Sequence, residues 1–312
     1  MIDMNNFYDV LTAEEIAVYT LRQLFRQHGY SQYKMSKFEE YDLYAGNKDF
    51  LISEKLITFT DTDGRLLALK PDVTLSIIKN TRDKDGTLKL CYDESVYRVS
   101  GSTRSFREIT QVGLECIGEV GSEEVAEVVT LAVKSLDSLS DSGVLEISHL
   151  GIISGALSYI GISGREEAEV FKLLSDKNRD GVAKYLLSIG KTEKDAELVA
   201  SLADLYGAPE DIIGSLDSYA LNEESKTAVE EIKHLVALLK KKGVLDKITI
   251  DFSVVNDMSY YNGFAIKGFI EGVPTSVLSG GQYDKLMKKM DRRAKGIGFA
   301  VYLDEIGRGK NA

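Results

Sequence analysis

The hydrophobic and polar residues of this chain alternate at a period of two along residues 90–99 and 106–117. Successive side chains of a strand point to opposite faces, so this alternation predicts two strands. Residues 100–103 between them are small and polar, which is typical of a hairpin turn. One face of the second predicted strand carries Arg107, Ile109, Gln111, Gly113 and Glu115.

This polar strand face has two possible interpretations. A hairpin face turned toward water would also be polar, and alternation alone does not separate that case from a binding surface. A cation, an amide and a carboxylate in one row, with a glycine that permits close approach, favour the binding of a small zwitterion.

Other patterns place elements before and after the hairpin. Thr12 and Glu15 form a capping box that predicts a helix ending at Gly29. Further predictions are a strand over 32–40, a hairpin over 58–60 and 66–69 closed by Asp63-Gly64, helices over 72–80 and 123–136, and a strand over 144–150. Asp72 opens one of these helices, where it is as consistent with capping as with ligand binding.

The pattern of hydrophobic residues changes at residue 165. Apolar residues then recur at spacings of three and four through residue 246, which predicts an all-helical insertion. Strand patterns return at 248–254 and 264–270, Gly280-Gly281 predicts a tight bend, and Gly296 begins a final strand and helix. We therefore expect an α+β fold, with a core domain of residues 1–164 and 247–312 and a helical insertion of residues 165–246.

Composition narrows the classes of function. The net charge is −11, from 38 basic and 49 acidic residues among 312, whereas binding to a nucleic-acid backbone relies on a basic surface. No apolar run approaches the ~20 residues of a membrane span, and no signal-peptide pattern opens the chain. Cys91 and Cys116 are expected to be reduced core thiols on the paired strands. We expect a cytoplasmic protein without nucleic acid, membrane, metal or cofactor.

Four stretches, in order along the chain, resemble the motifs of one enzyme family. Residues 97–118, YRVSGSTRSFREITQVGLECIG, resemble motif two of class II aminoacyl-tRNA synthetases in its histidyl-tRNA synthetase form. Residues 66–74 (LLALKPDVT), 259–269 (SYYNGFAIKGF), and 278–286 with 296–306 (LSGGQYDKL and GIGFAVYLDEI) resemble the family's later substrate-binding elements and motif three. The resemblance implies a class II synthetase-like antiparallel sheet flanked by helices, and a homodimer through that core.

The resemblance also implies a pocket for an amino acid. In the histidyl enzymes, residues at the positions of Asp72 and Thr74 hold the amino group of histidine, and ring contacts are implied for Glu115 and Tyr261. The implied ligand-binding residues are Asp72, Thr74, Arg98, Gln111, Glu115, Tyr260, Tyr261 and Tyr283.

The cations that would bind ATP are mostly replaced. Arg98 keeps the motif-two arginine, but the motif-three arginine falls on Glu305, and an arginine specific to the histidyl enzymes falls on Asn256. A glutamate of motif two falls on Ser100. Catalysis of phosphoryl chemistry depends on cations at the phosphates, and a carboxylate there reverses the local field. The sequence therefore predicts a protein that does not form an adenylate and has no catalytic residue of its own.

A synthetase-like core without these arginines, and with no anticodon-binding domain expected after Glu305, resembles the regulatory subunits of ATP phosphoribosyltransferase. That resemblance implies a short catalytic subunit as partner, a hetero-octamer built on dimers, and feedback inhibition by histidine in histidine biosynthesis. The effector would bind in the synthetase-like pocket or at the subunit boundary.

Three alternatives remain at this point. A free-standing amino-acid ligase would catalyse amino-acid-dependent ATP–pyrophosphate exchange. A truncated histidyl-tRNA synthetase would charge tRNA. A homodimeric structural module with a relic pocket would bind neither histidine nor a catalytic subunit.

Overall fold

The computed structural model describes residues 10–47, 56–99, 105–255 and 260–309. The strands are β1 (Ser31–Gln32), β2 (Phe38–Glu40), β3 (Thr58–Thr60), β4 (Leu66–Leu69), β5 (Thr87–Val99), β6 (Phe106–Gly118), β7 (Val144–His149), β8 (Tyr206–Gly207), β9 (Ile248–Asp251), β10 (Phe264–Phe269), β11 (Leu278–Gln282) and β12 (Lys295–Tyr302). The helices are α1 (Ala13–Gln27), α2 (Tyr41–Ala45), α3 (Val73–Asn80), α4 (Ser122–Leu139), α5 (Leu150–Tyr159), α6 (Arg165–Ser175), α7 (Arg179–Ser188), α8 (Glu193–Ala200), α9 (Pro209–Ile212), α10 (Glu223–Lys242), α11 (Asp284–Lys289) and α12 (Leu303–Gly309).

A nine-stranded sheet is the centre of the described fold. Its order is β1-β5-β6-β12-β11-β10-β7-β9-β8, and neighbours run antiparallel except for the β1/β5 and β7/β9 pairs. A smaller antiparallel sheet has the order β2-β4-β3. This architecture, a mainly antiparallel sheet flanked by helices, confirms the predicted α+β class.

The long hairpin of β5 and β6 lies where alternation predicted it. Its register pairs Cys91 with Leu114 and Lys89 with Cys116, so the two cysteines sit diagonally on one face. Both are buried free thiols. The predicted turn at 100–103 lies outside the described residues.

Local signals fixed several other boundaries. Thr12 caps α1 with the predicted capping box, and Gly29 follows its C-terminus with φ of +85°. Asp72 caps α3 by accepting a hydrogen bond from the backbone N–H of Leu75. The hairpin of β3 and β4 closes at Gly64, whose φ of +82° suits glycine.

Two predicted elements were wrong in detail. The strand over 32–40 is split, because β1 pairs with the large sheet and β2 with the small one. Gly280 and Gly281 lie inside β11 instead of in a bend. A Cβ at Gly280 would meet the carbonyl oxygen of Gly298 at 2.2 Å, so the pair serves close strand contact.

The segment of residues 165–246 is helical, as predicted, except for the two-residue strand β8 at the sheet edge. Helix α10 ends at Gly243, which has the left-handed conformation of a helix cap, with three lysines in its last turn. Apolar side chains of this segment share one buried cluster with α4, α5 and the sheet. The division into a core domain and an insertion stays a prediction.

Candidate functional site

A cavity of about 410 Å³ lies between the N-terminus of α3, the β5–β6 hairpin and strands β10 to β12. All eight residues implied by the sequence resemblance line it: Asp72, Thr74, Arg98, Gln111, Glu115, Tyr260, Tyr261 and Tyr283. Sequence patterns did not assign the other lining side chains to a site; the larger or polar ones are Tyr92, Lys267, Ser276, Ser279, Phe299 and Tyr302. The fold thus gathers residues from the start of α3, from β5 and β6, and from β10, β11 and β12 with their adjoining segments around one space.

Glu115 is the most enclosed carboxyl group of the cavity, with 2% of its surface exposed. The hydroxyl of Thr74 donates to its Oε1 at 2.5 Å, and the hydroxyl of Tyr283 donates to its Oε2 at 2.6 Å. Burial raises the pKa of Glu115 to about 8, although both hydrogen bonds oppose the shift. Below that pH Glu115 holds a proton, so it can both accept and donate hydrogen bonds to a ligand.

Asp72 caps α3 and also lines the cavity. Its Oδ1 accepts from the N–H of Leu75 at 2.8 Å, which caps α3, and from the hydroxyl of Tyr260 at 3.4 Å. Burial raises the pKa of Asp72, while the Leu75 hydrogen bond and the charge of Arg98 lower it. Arg98 is held by its Nε, which donates to the Pro71 carbonyl oxygen at 3.0 Å. Capping and exposure to the cavity are therefore compatible at this residue.

Two glycines of β12 make room for these groups. A Cβ at Gly298 would lie 2.0 Å from Oε2 of Glu115, and a Cβ at Gly296 would lie 2.1 Å from the ring of Tyr283. Real Cβ atoms do not approach other atoms so closely, and in a densely packed interior the neighbouring side chains have no space into which they could shift. The Gly-x-Gly pattern of the motif-three stretch is thus a requirement of this pocket.

Tyrosine rings form one wall of the cavity. The ring of Tyr260 lies 4.8 Å from that of Tyr261 and 6.2 Å from that of Tyr283, measured between centroids. Gln111 also lines the cavity, and only 4% of its surface is exposed. A side-chain amide carries both donors and an acceptor, so it can hydrogen-bond a ligand in this space.

The region corresponding to the ATP end has a different character. By the motif resemblance Glu305 takes the place of the motif-three arginine, and in the structure its Oε1 lies 3.6 Å from Nη2 of Arg107. The hydroxyl of Thr275 also donates to Glu305, at 2.9 Å. A carboxylate here therefore neutralises a cation of the motif-two strand. Ser100 and Asn256 lie outside the described residues.

Other classes of site have no counterpart in the described ranges. No helix among residues 10–47, 56–99, 105–255 and 260–309 is both long and apolar enough to cross a bilayer. Over those same ranges, His, Cys, Asp and Glu side chains form no group of three or more that could hold a metal ion. The triplet Gly190-Lys191-Thr192 resembles the end of a phosphate-binding loop in sequence, but Lys191 donates to the carbonyl oxygen of Ile160, and Thr192 caps α8.

Comparisons with known proteins agree with the motif resemblance. The histidyl-tRNA synthetase family matches residues 9–306. The ATP phosphoribosyltransferase regulatory subunit of Clostridium botulinum (strain 657 / Type Ba4) is 30% identical over 294 residues, which cover 92% of this chain and 69% of that protein.

Solved structures extend the likeness to the fold. An ATP phosphoribosyltransferase regulatory subunit/histidyl-tRNA synthetase from Bacillus halodurans C superposes with a TM-score of 0.83 at 25% identity, over 99% of this chain and 81% of that one. A chain of the ATP phosphoribosyl transferase (HisG:HisZ) complex from Thermotoga maritima shares the fold, with a TM-score of 0.72 at 19% identity over 94% and 98% of the two chains.

Proposed function

The chain belongs to the histidyl-tRNA synthetase family and, within it, to the regulatory subunits of ATP phosphoribosyltransferase, and we propose that it activates a short catalytic subunit and mediates inhibition by histidine. In this proposal it acts in the cytoplasm and catalyses no reaction itself. The amino-acid pocket is the sensor for the end product of the pathway.

One observation carries this proposal: the two ends of the ancestral active site have diverged. The hydrogen-bonded group of Thr74, Glu115 and Tyr283 is complete, whereas the position of an ATP-binding arginine holds Glu305 paired with Arg107. Adenylate formation needs positive charge at the phosphates. A pocket that keeps its amino-acid contacts without that charge is suited to bind an amino acid and leave it unchanged.

The assembly is part of the proposal. The curated relative is a subunit by name, and the Thermotoga maritima structure of the same fold is a complex of two kinds of chain. We place this chain as a homodimer through its class II core within a hetero-octamer. Histidine would inhibit the complex only to the extent that it binds the inhibited state more tightly than the active state.

The test is the turnover of the short catalytic subunit from the same source. Activity should appear on mixing with this chain and should fall as L-histidine is added, with L-leucine as the control amino acid. Unchanged activity on mixing would contradict the regulatory function. Histidine-dependent ATP–pyrophosphate exchange by the chain alone would instead identify a ligase.

A further inference from the structure

Lys267 is a cation of the cavity that forms no ion pair within the described residues. It lines the space from β10 and is partly buried, and it makes neither a hydrogen bond nor an ion pair within the described residues. Burial lowers the pKa of Lys267, and the charges of Glu146 and Asp251 oppose that effect. A partly buried ammonium group without a contact partner carries a desolvation cost that a bound anion would offset.

The strand register shows what lies between Lys267 and the buried carboxyl groups. Tyr92, Gly113, Ala300, Ser279 and Lys267 occupy one row across five neighbouring strands. Strands lie about 4.8 Å apart, so the Cα atoms of Lys267 and Gly113 are roughly 14 Å apart. The ring of Tyr92 covers Gly113, whereas Ser279 and Ala300 are small and leave a floor on which a ligand can lie with one end toward Lys267.

We infer that Lys267 binds the carboxylate of an amino-acid effector whose other end contacts the group of Asp72, Thr74 and Glu115. This inference rests on the proposed function and assigns an orientation to its ligand. The arginine that the histidyl enzymes place before their tyrosine pair is replaced by Asn256 in the sequence. Lys267 supplies a positive charge from a different strand, and the amide of Gln111 is a second polar contact in the same cavity.

A simpler role for Lys267 would be to balance Glu146, its cross-strand neighbour on β7. The nearby Asp251 already pairs with Lys177, whose Nζ lies 2.7 Å from its Oδ2. Lys177 therefore belongs to the same charged group but does not line the cavity. Substitution of Lys177 is therefore a matched control for substitution of Lys267: both remove a positive charge from this group, but only Lys267 lines the cavity.

The experiment is calorimetric titration of the full-length chain with L-histidine and with L-histidinol, which has a hydroxymethyl group in place of the carboxylate. Losing a hydrogen bond to a charged group costs about 1.5–3 kcal/mol, or roughly 10- to 100-fold in affinity. Lys267→Met should weaken histidine binding by that factor and leave histidinol binding unchanged. Lys267→Arg should retain most of the affinity, and Lys177→Met should bind both ligands like the unmodified chain.

Each other outcome would overturn the inference. Equal losses for histidine and histidinol would show that Lys267 supports the pocket without contacting the carboxylate. Unchanged histidine binding, or loss of ATP binding instead, would assign Lys267 to charge balance or to a phosphate. If the unmodified chain bound no histidine, both the inference and the sensor role would be wrong. Activation of the catalytic subunit on mixing is measured separately, so the activating role would still be tested on its own.

Discussion

Two polar groups of the molecule, one around Glu115 and one formed by Arg107 and Glu305, differ in burial and in how their charges are satisfied. Glu115 is 2% exposed and accepts two short hydrogen bonds from hydroxyl groups. Arg107 and Glu305 form a longer ion pair, with side chains 31% and 25% exposed. Enclosed polar contacts depend on exact complements, whereas a partly exposed pair can replace one charge by another at small cost.

Under the proposed function, this difference explains how a binding pocket can be kept while catalysis is lost. Loss of catalysis needs only a change of charge at a solvated edge of the site. Retention of binding needs the buried contacts, their supporting glycines and the tyrosine wall to stay together. Substitutions at Glu115 and Gly298 should therefore have large effects, and substitutions at Arg107 and Glu305 should have small ones.

The largest expected effect is the pH dependence that Glu115 gives to stability. Burial raises its pKa from 4.5 to about 8, so the folded chain holds this proton more tightly than the unfolded chain. The contribution of protonated Glu115 to the free energy of unfolding is fully present below about pH 4.5 and is lost as the pH rises through about 8. Its upper bound is roughly 5 kcal/mol. In urea unfolding, the Glu115→Gln variant should not show the fall in stability with rising pH that the unmodified chain shows.

Glu39 provides a control of opposite sign. Burial alone would raise the pKa of Glu39, but hydrogen bonds from Lys79 and Ser76 outweigh it and lower the pKa. Its contribution is present above the unfolded pKa and is lost as the pH falls. Glu39→Gln should therefore lower the free energy of unfolding above about pH 5, and its difference from the unmodified chain should shrink as the pH falls below that value. A flat difference between Glu115→Gln and the unmodified chain from pH 5 to 8 would contradict the prediction.

The next effect comes from filling the space beside Glu115. A Cβ at Gly298 would lie 2.0 Å from Glu115 Oε2 and 2.4 Å from the backbone oxygen of Leu114, which cannot rotate away. Overpacking of this kind costs about 1–3 kcal/mol, so we expect Gly298→Ala to lower the unfolding free energy by that amount. Histidine affinity should fall about tenfold or more, measured by calorimetry.

Gly214→Ala is the matched control for Gly298→Ala. A Cβ at Gly214 has nothing within 4 Å, and its φ of −69° suits any residue. Stability and histidine binding should therefore stay within about 0.5 kcal/mol of the unmodified chain. If Gly298→Ala bound histidine normally, the amino acid would not lie at the Glu115 end.

How far the sequence predicted this site depends on the range of each signal. Alternation placed β5 and β6, and a capping box placed α1, because these patterns are local. The bonds of Thr74 and Tyr283 to Glu115 join residues 41 and 168 positions apart, and no periodicity reports such a contact. Only the family resemblance brought those residues together before the fold was known.

Lys267 and the glycine pair show what local signals miss. Lys267 looks like any polar position of a strand, and its orientation toward the cavity follows from pairing with Ser279. Gly280 and Gly281 resemble a turn in sequence, but the close approach of β12 and β10 explains them. In both cases the deciding fact is the neighbouring strand, which the local pattern does not contain.

The smallest expected effect belongs to the ion pair of Arg107 and Glu305. Exposed pairs contribute about 0.2–1 kcal/mol, because solvent screens them and two long side chains must be ordered. A double-mutant cycle of Arg107→Gln and Glu305→Gln should give a coupling energy in that range. The coupling energy should fall further in about 0.5 M salt, because the Debye length is then only a few ångströms. Histidine affinity should be unchanged in all three variants, because neither residue lines the cavity. A coupling energy above about 2 kcal/mol is typical of residues in one connected network. Such a value, or a loss of histidine binding, would mean that this ion pair is energetically coupled to the cavity.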